Sequence, residues 1–162
     1  MTVAPLLATA LVGVGGAFGA ASRHAVGLRV EGRRSVLLVA AGGFLGAVAR
    51  RAVDVGVGEI LPAVSAGNAP PVFGGAATGA GTLAANVAGS FALGLLLTRA
   101  PSDRVRLFVG TGALSSFTTY STFVADAVAL GTPAGAWYVG VSYATGFAAA
   151  ALGLAVGGGW RR

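Results

Sequence analysis

Only 10% of the 162 residues are charged, while the mean hydropathy is +0.80 and glycine occurs 28 times. A soluble domain carries about 25% charged residues, so this composition cannot cover a water-soluble surface and points to an all-α integral membrane protein. The 11 basic residues are all arginines, set in short groups beside apolar runs as juxtamembrane anchors are, which excludes a nucleic-acid partner. With no cysteine and a single histidine, His24, thiolate and His-based metal sites are excluded too.

Thr2–Ser22 is uncharged and is read as a membrane segment rather than a cleaved leader, because no basic region precedes it. A basic loop follows, with Arg29, Arg33 and Arg34. Ser35–Ala49 is a second apolar run, short of spanning length unless Arg50 and Arg51 snorkel or point into protein. These two segments repeat each other: GGAFGAASRHAV (Gly15–Val26) aligns without gaps with GGFLGAVARRAV (Gly42–Val53). Small residues at this spacing let helix backbones approach closely in lipid. Residues 1–34 are therefore an extra N-terminal segment with its basic loop, and 35–162 are the core.

Asp54 to Pro71, with Glu59, Pro62, Asn68 and Pro70, reads as a loop. Phe73–Thr98 is the third run, and Ala100-Pro101-Ser102-Asp103 breaks and recaps the chain after it. Leu107–Ala125 is the fourth, Leu130–Pro133 a tight connection, and Gly135–Gly157 the last, closed by the interface anchor Trp160-Arg161-Arg162. Five spans are expected, at about 3–22, 35–53, 73–98, 106–126 and 135–157, each near the roughly 20 residues that a bilayer requires.

Two of these runs are unusually polar. Thr82, Asn86 and Ser90 fall at i, i+4 and i+8, one stripe of a helix; by spacing alone the stripe is either interhelical glue or the lining of a path. Residues 115–122 hold seven hydroxyls in eight positions, Ser115, Ser116, Thr118, Thr119, Tyr120, Ser121 and Thr122. Hydroxyls without partners are costly in hydrocarbon, so these face protein, water or an ion. Tyr120 and Phe123 share a helix face, as packing or as something more.

GTLAANVAGSF (Gly81–Phe91) and SSFTTYSTF (Ser115–Phe123), with Asp126 three residues on, resemble in order the second- and third-helix signatures of Fluc/CrcB-type fluoride channels, GTLxxNxxGSF and GGxTTFSTF. GGAFGAASR (Gly15–Arg23) and GGFLGAVAR (Gly42–Arg50) both resemble that family's first-helix pattern, GGxxGAxxR, of which the family normally has one, and Tyr138-x-x-x-Ser142 resembles its last. The sequence departs in having Ser115-Ser116 for Gly-Gly and Tyr120 for Phe. The resemblance implies four core transmembrane helices, the third broken, in an antiparallel, dual-topology dimer of a multi-pass cell-membrane protein. It implies a passive fluoride channel that relieves fluoride toxicity, and no enzyme. Thr82, Asn86, Ser90, Tyr120, Phe123, Tyr138 and Ser142 would line the fluoride path, and Arg50 its vestibule. Backbone carbonyls of Ser115 and Thr118 would hold a structural sodium ion at the dimer centre, with the helix broken there. Asp126 is expected to cap or anchor the membrane edge.

Two other classes are weighed. A small dual-topology, proton-coupled multidrug exporter needs a membrane-embedded carboxylate, and Asp54, Glu59 and Asp126 all fall at segment ends. A structural glycine-rich membrane protein leaves the hydroxyl cluster unexplained. Under the five-span reading nine arginines (Arg23, Arg29, Arg33, Arg34, Arg99, Arg104, Arg106, Arg161, Arg162) lie on one face and only Arg50 and Arg51 on the other. Such a bias fixes one orientation, so the partner is either a second copy inserted against its bias or an inverted paralogue.

Overall fold

The computed structural model describes residues 10, 12–22, 33–65, 79–99 and 102–158, with the side chains of residues 34–60 in the second long stretch. Among the described residues every element is a helix. α1 is Val12–Ser22, α2 Arg33–Ser65, α3 Ala80–Arg99 and α4 Asp103–Val105. A π-helix over Arg106–Leu114 follows, then α5 Ser115–Phe117, α6 Tyr120–Leu130 and α7 Ala134–Gly157. Three helices are long and apolar enough to cross a membrane: α2 over Arg34–Ile60, α3 and α7. Their outward faces are apolar, with Leu37, Ile60, Leu97, Trp137 and Phe147 exposed. A soluble protein would not tolerate so much exposed apolar surface.

The expected loop from Asp54 to Pro71 is helical as far as Ser65, and residues 66–71 lie outside the described residues. α2 continues through Asp54 and Glu59 to Ser65, because Asp54 pairs back one turn onto Arg50 rather than capping a turn. At 33 residues it is about 50 Å long, more than the roughly 30 Å hydrocarbon core, so one end projects. Of the anticipated span 3–22, residues 3–9 and 11 lie outside the described residues; its described helix, α1, runs antiparallel to α2, Gly13 lying against Phe44 and Val48 and Gly43 against Ala20. Recapping at Ser102 is as expected, its Oγ accepting from the Val105 N–H, and the connection at Gly131–Pro133 is tight, with Gly131 at φ 64°.

Close backbone contact is what the glycines supply. A Cβ on Gly42 would strike the Phe108 carbonyl, and one on Gly46 the Ala113 carbonyl, so α2 and the π-helix touch main chain to main chain. α3 and α7 pack as closely, Gly94 on Ala150 and Gly153 on Phe91. Arg99 closes their far end, donating to the Val156 and Gly157 carbonyls, which lack helical donors and attract a cation.

α3 and α7 are parallel: Gly79 meets Tyr138, Gly94 meets Ala150, and Arg99 meets Gly157. The chain from 103 to 130 must therefore run back the whole length of α3. Broken as it is, it is the candidate for a fourth crossing. The protein has no cysteine, so Ser102→Cys and Thr132→Cys can each be labelled in intact cells with an impermeant thiol reagent. Because the two sites lie at opposite ends of this crossing, the labelled fractions should be complementary, summing to one whatever mixture of orientations is present. Matching fractions that do not sum to one would remove the crossing.

Candidate functional site

The fourth crossing is interrupted at Thr118 and Thr119, whose backbones are extended (φ −83°, ψ 154° and φ −147°, ψ 132°). Ser115 and Ser116, the expected point of rupture, remain helical; the π-helix before them and the two threonines after them take up the irregularity. Serine bonds its own helix: Ser115 Oγ donates to the Thr111 and Gly112 carbonyls, a local alternative that keeps the turn wound. Thr118 Oγ1 does likewise to the Leu114 carbonyl at 2.9 Å.

Asn86 holds the break. Its Nδ2 donates to the Thr119 carbonyl at 3.1 Å, and its Oδ1 accepts from the Thr119 N–H at 3.0 Å. One side chain thus satisfies both main-chain groups of the residue that the helix has released. Gly89, one turn along α3, admits Thr118, whose Cγ2 occupies the space a Cβ would need. The Thr119 hydroxyl caps α6, accepting from the Thr122 N–H at 3.3 Å, and lies 3.2 Å from both the Ser121 and Thr122 hydroxyls. Most of the hydroxyl cluster is accounted for by protein partners. Ser116 Oγ is buried without one.

Two cavities flank this junction. The larger, about 550 Å³, is an open groove lined on the α3 side by Asn86, Gly89, Ser90 and Leu93. Ser115, Thr118, Thr119, Tyr120 and Phe123 face it from the broken crossing, and Ser142, Tyr143, Gly146 and Phe147 from α7. The smaller, about 280 Å³, is lined by Arg50, Asp54, Thr82, Thr122 and Asp126 among others. The stripe therefore leads from one space to the other, with Thr82 in the smaller and Asn86 and Ser90 in the larger. Tyr138 lines neither. It is fully buried between them, its ring 5.5 Å from that of Phe123. Its hydroxyl is buried without a hydrogen-bond partner.

Of the ring pair, Phe123 is 8% exposed and Tyr120 71%, their centroids 5.8 Å apart. Sequence reasoning missed Tyr143 and Phe147. Tyr143 meets Phe123 at 5.8 Å and 78°, edge to face, and stacks on Phe147 at 6.1 Å. Their spacing of four on α7 was the available signal. Arg50, weighed between snorkelling and a vestibule, is buried: Nε donates to Asp54 at 2.9 Å and Nη2 to Thr82 Oγ1 at 2.8 Å. Asp126 caps no helix: it sits in the middle of α6, half-buried, with Oδ2 unpartnered in the smaller cavity.

Residues 37–154 match the family described as CrcB-like protein, Camphor Resistance (CrcB). The chain is similar to fluoride-specific ion channel FluC 1 of Natronomonas pharaonis, 47% identical over 74 residues (43% of this chain, 62% of the relative). It is similar to FluC 2 of Halobacterium salinarum, 45% identical over 82 residues (47% and 64%). A third relative is FluC of Agrobacterium fabrum, 42% identical over 86 residues (48% and 69%). The chain thus spans under two thirds of the length of the first two. No solved structure matches it.

The bridge from Asn86 has a measurable consequence. Asn86→Ala leaves the Thr119 N–H and carbonyl without partners and should cost about 1–2 kcal/mol, read as a lower thermal midpoint of the purified protein. Asn86→Asp still accepts from the N–H but no longer donates to the carbonyl, and should fall between. A parent-like midpoint for Asn86→Ala would mean that the break is held elsewhere.

Proposed function

The chain belongs to the CrcB-like family, and from that premise we propose that it is a passive, fluoride-selective channel of the cell membrane through which fluoride leaves the cell. The observation that carries this reading is the helix break braced by Asn86, set between two cavities and faced by hydroxyls and aromatic rings. Moving even a carboxylate-sized ion into low dielectric costs on the order of 20 kcal/mol, and fluoride is smaller still. A path for it must replace water with many modest donors. The second Asn86 Nδ2 hydrogen, the Thr82 and Ser142 hydroxyls and the positive ring edges of Phe123 and its neighbours supply them. None of these is a full cation that would trap the ion.

A dimer completes the reading. The larger cavity is open, and two rings on its rim, Tyr120 and Phe147, are 71% and 73% exposed. A second, inverted chain would enclose it. The carbonyls of Ser115 and Thr118 would hold a sodium ion where the chains meet. Thr119, the helical donor that Ser115 would normally have, gives its N–H to Asn86 instead, which leaves the Ser115 carbonyl available to a hard cation. Such an ion would join the two broken helices.

The arginine asymmetry favours an inverted paralogue as the partner over a second copy. Expressed alone with a C-terminal topology reporter, the chain should adopt one dominant orientation and gain fluoride flux when the paralogue is added. An even split of orientations with full flux would favour the homodimer.

A proton-coupled exporter gains one observation, the buried, unpartnered Asp126 Oδ2. Liposomes separate the two readings. The channel should release fluoride, retain chloride, and do so without a pH gradient; efflux that needs the gradient, or equal release of both halides, would favour the exporter or a nonselective pore. Phe123→Ala removes ring contacts worth roughly 1 kcal/mol and should lower flux by about an order of magnitude. Tyr120→Phe, at the exposed ring, should conduct like the parent.

A further inference from the structure

Asp54 stands one turn beyond Arg50 on α2, and both of its carboxylate oxygens accept from Arg50 Nε at 2.9 Å. Nη2 of the same guanidinium donates to Thr82 Oγ1 at 2.8 Å. These contacts fix two sides of the group and leave the third. Nη1 is buried without a partner, on a side chain only 10% exposed that lines the smaller cavity. A buried donor without an acceptor costs about 1–3 kcal/mol, so this nitrogen calls for an acceptor that the cavity itself brings. Asp126, the other carboxylate on that wall, makes no hydrogen bond to it, and its own Oδ2 is unpartnered.

Charge decides what Asp54 adds. A guanidinium alone in a low-dielectric passage would bind an anion firmly and release it slowly, which stops conduction. One bound by its own carboxylate keeps its donors while losing much of its field.

We propose that Asp54 is a positioning residue for anion passage: its carboxylate turns the Arg50 guanidinium so that Nη1 faces the smaller cavity, and its charge keeps that group from retaining the ion. The inference rests on the reading of the protein as an anion channel. It assigns geometry and field to separate parts of one side chain, so two substitutions should move flux in different ways. Asp54→Asn keeps an acceptor for Nε but removes the charge. The fluoride concentration giving half-maximal flux should fall by roughly tenfold, and the maximal flux should fall with it. Asp54→Ala loses the orientation as well, and half-maximal flux should need more fluoride than in the parent. Asp54→Glu, which restores both acceptor and charge, should return both values toward the parent.

A merely structural role would lower the maximal flux of both variants and leave half-saturation where it was; that result overturns the proposal. Should Asp54→Asn not fold, Asp54→Ser keeps a short acceptor without charge and takes its place. Thermal unfolding of the purified protein against sodium fluoride and sodium chloride separates this proposal from the reading beneath it. If the parent carries no fluoride, yet Asp54→Asn shifts the anion dependence of unfolding for either halide, the positioning stands and the fluoride reading falls. If both salt profiles match the parent, the positioning falls.

Discussion

The pair of hydrogen bonds between Asn86 and Thr119 is the constraint on which the rest of the structure depends. A helix cannot be opened inside a membrane without giving its freed N–H and carbonyl groups new partners, because the bilayer offers none. Here a single carboxamide supplies a donor and an acceptor in the geometry of a paired strand, 3.1 and 3.0 Å from one residue. Everything polar nearby follows from that opening. Thr119, released from the helix, becomes the cap of α6, and Asn86 is held on the wall of the larger cavity with a hydrogen to spare.

Holding Asn86 against Thr119 requires α3 to lie close to the broken crossing, and this is a matter of small residues. Gly89 leaves room for Thr118 on α3. On the other side of the crossing, α2 approaches so closely that Gly42 and Gly46 meet carbonyls of the π-helix. The π-helix is wider and less favourable than an α-turn, and it lies along this contact. Backbone strain is tolerated where packing over-determines it, and here the packing is main chain on main chain. A methyl group at Gly42 or Gly46 would separate these elements and with them the geometry of the break.

How much of this was legible in the sequence differs residue by residue. The stripe Thr82, Asn86, Ser90 is visible as spacing, since helical periodicity needs no tertiary knowledge. What Asn86 bonds to is not visible, because its partner is a main-chain group 33 residues away. The break was expected at Ser115-Ser116 on the strength of a motif that has glycines there. Serine can satisfy itself against the preceding turn, so the disruption moved to the β-branched pair Thr118-Thr119, which adopts extended backbone readily. Asp54 was read as a loop residue because acids outside apolar runs usually are. Its partner is Arg50, four residues back, and together they form a pair that a membrane helix tolerates. Asp126 was set at the membrane edge because it ends an apolar run. Only the fold of α6 against the start of α3 turns it inward toward the smaller cavity.

The order of the two cavities carries a last consequence for how an anion would be handled. The smaller one holds all the full charges of the path, Arg50 opposed by Asp54 and Asp126, while the larger holds none. Coulomb energies grow as the dielectric falls, so full charges are least adhesive at the wetter end and most adhesive in the dry middle. Confining them to the smaller cavity, and giving the larger only hydroxyls, one amide and rings, would keep successive interactions along the proposed path comparable in strength. Tyr138 lies between the two, wedged against Phe123, with a buried hydroxyl that has no hydrogen-bond partner. In the proposed channel, selectivity for a small, strongly hydrated anion would rest on such a graded set of donors: only an ion that accepts several strong hydrogen bonds at once recovers what it loses on leaving water.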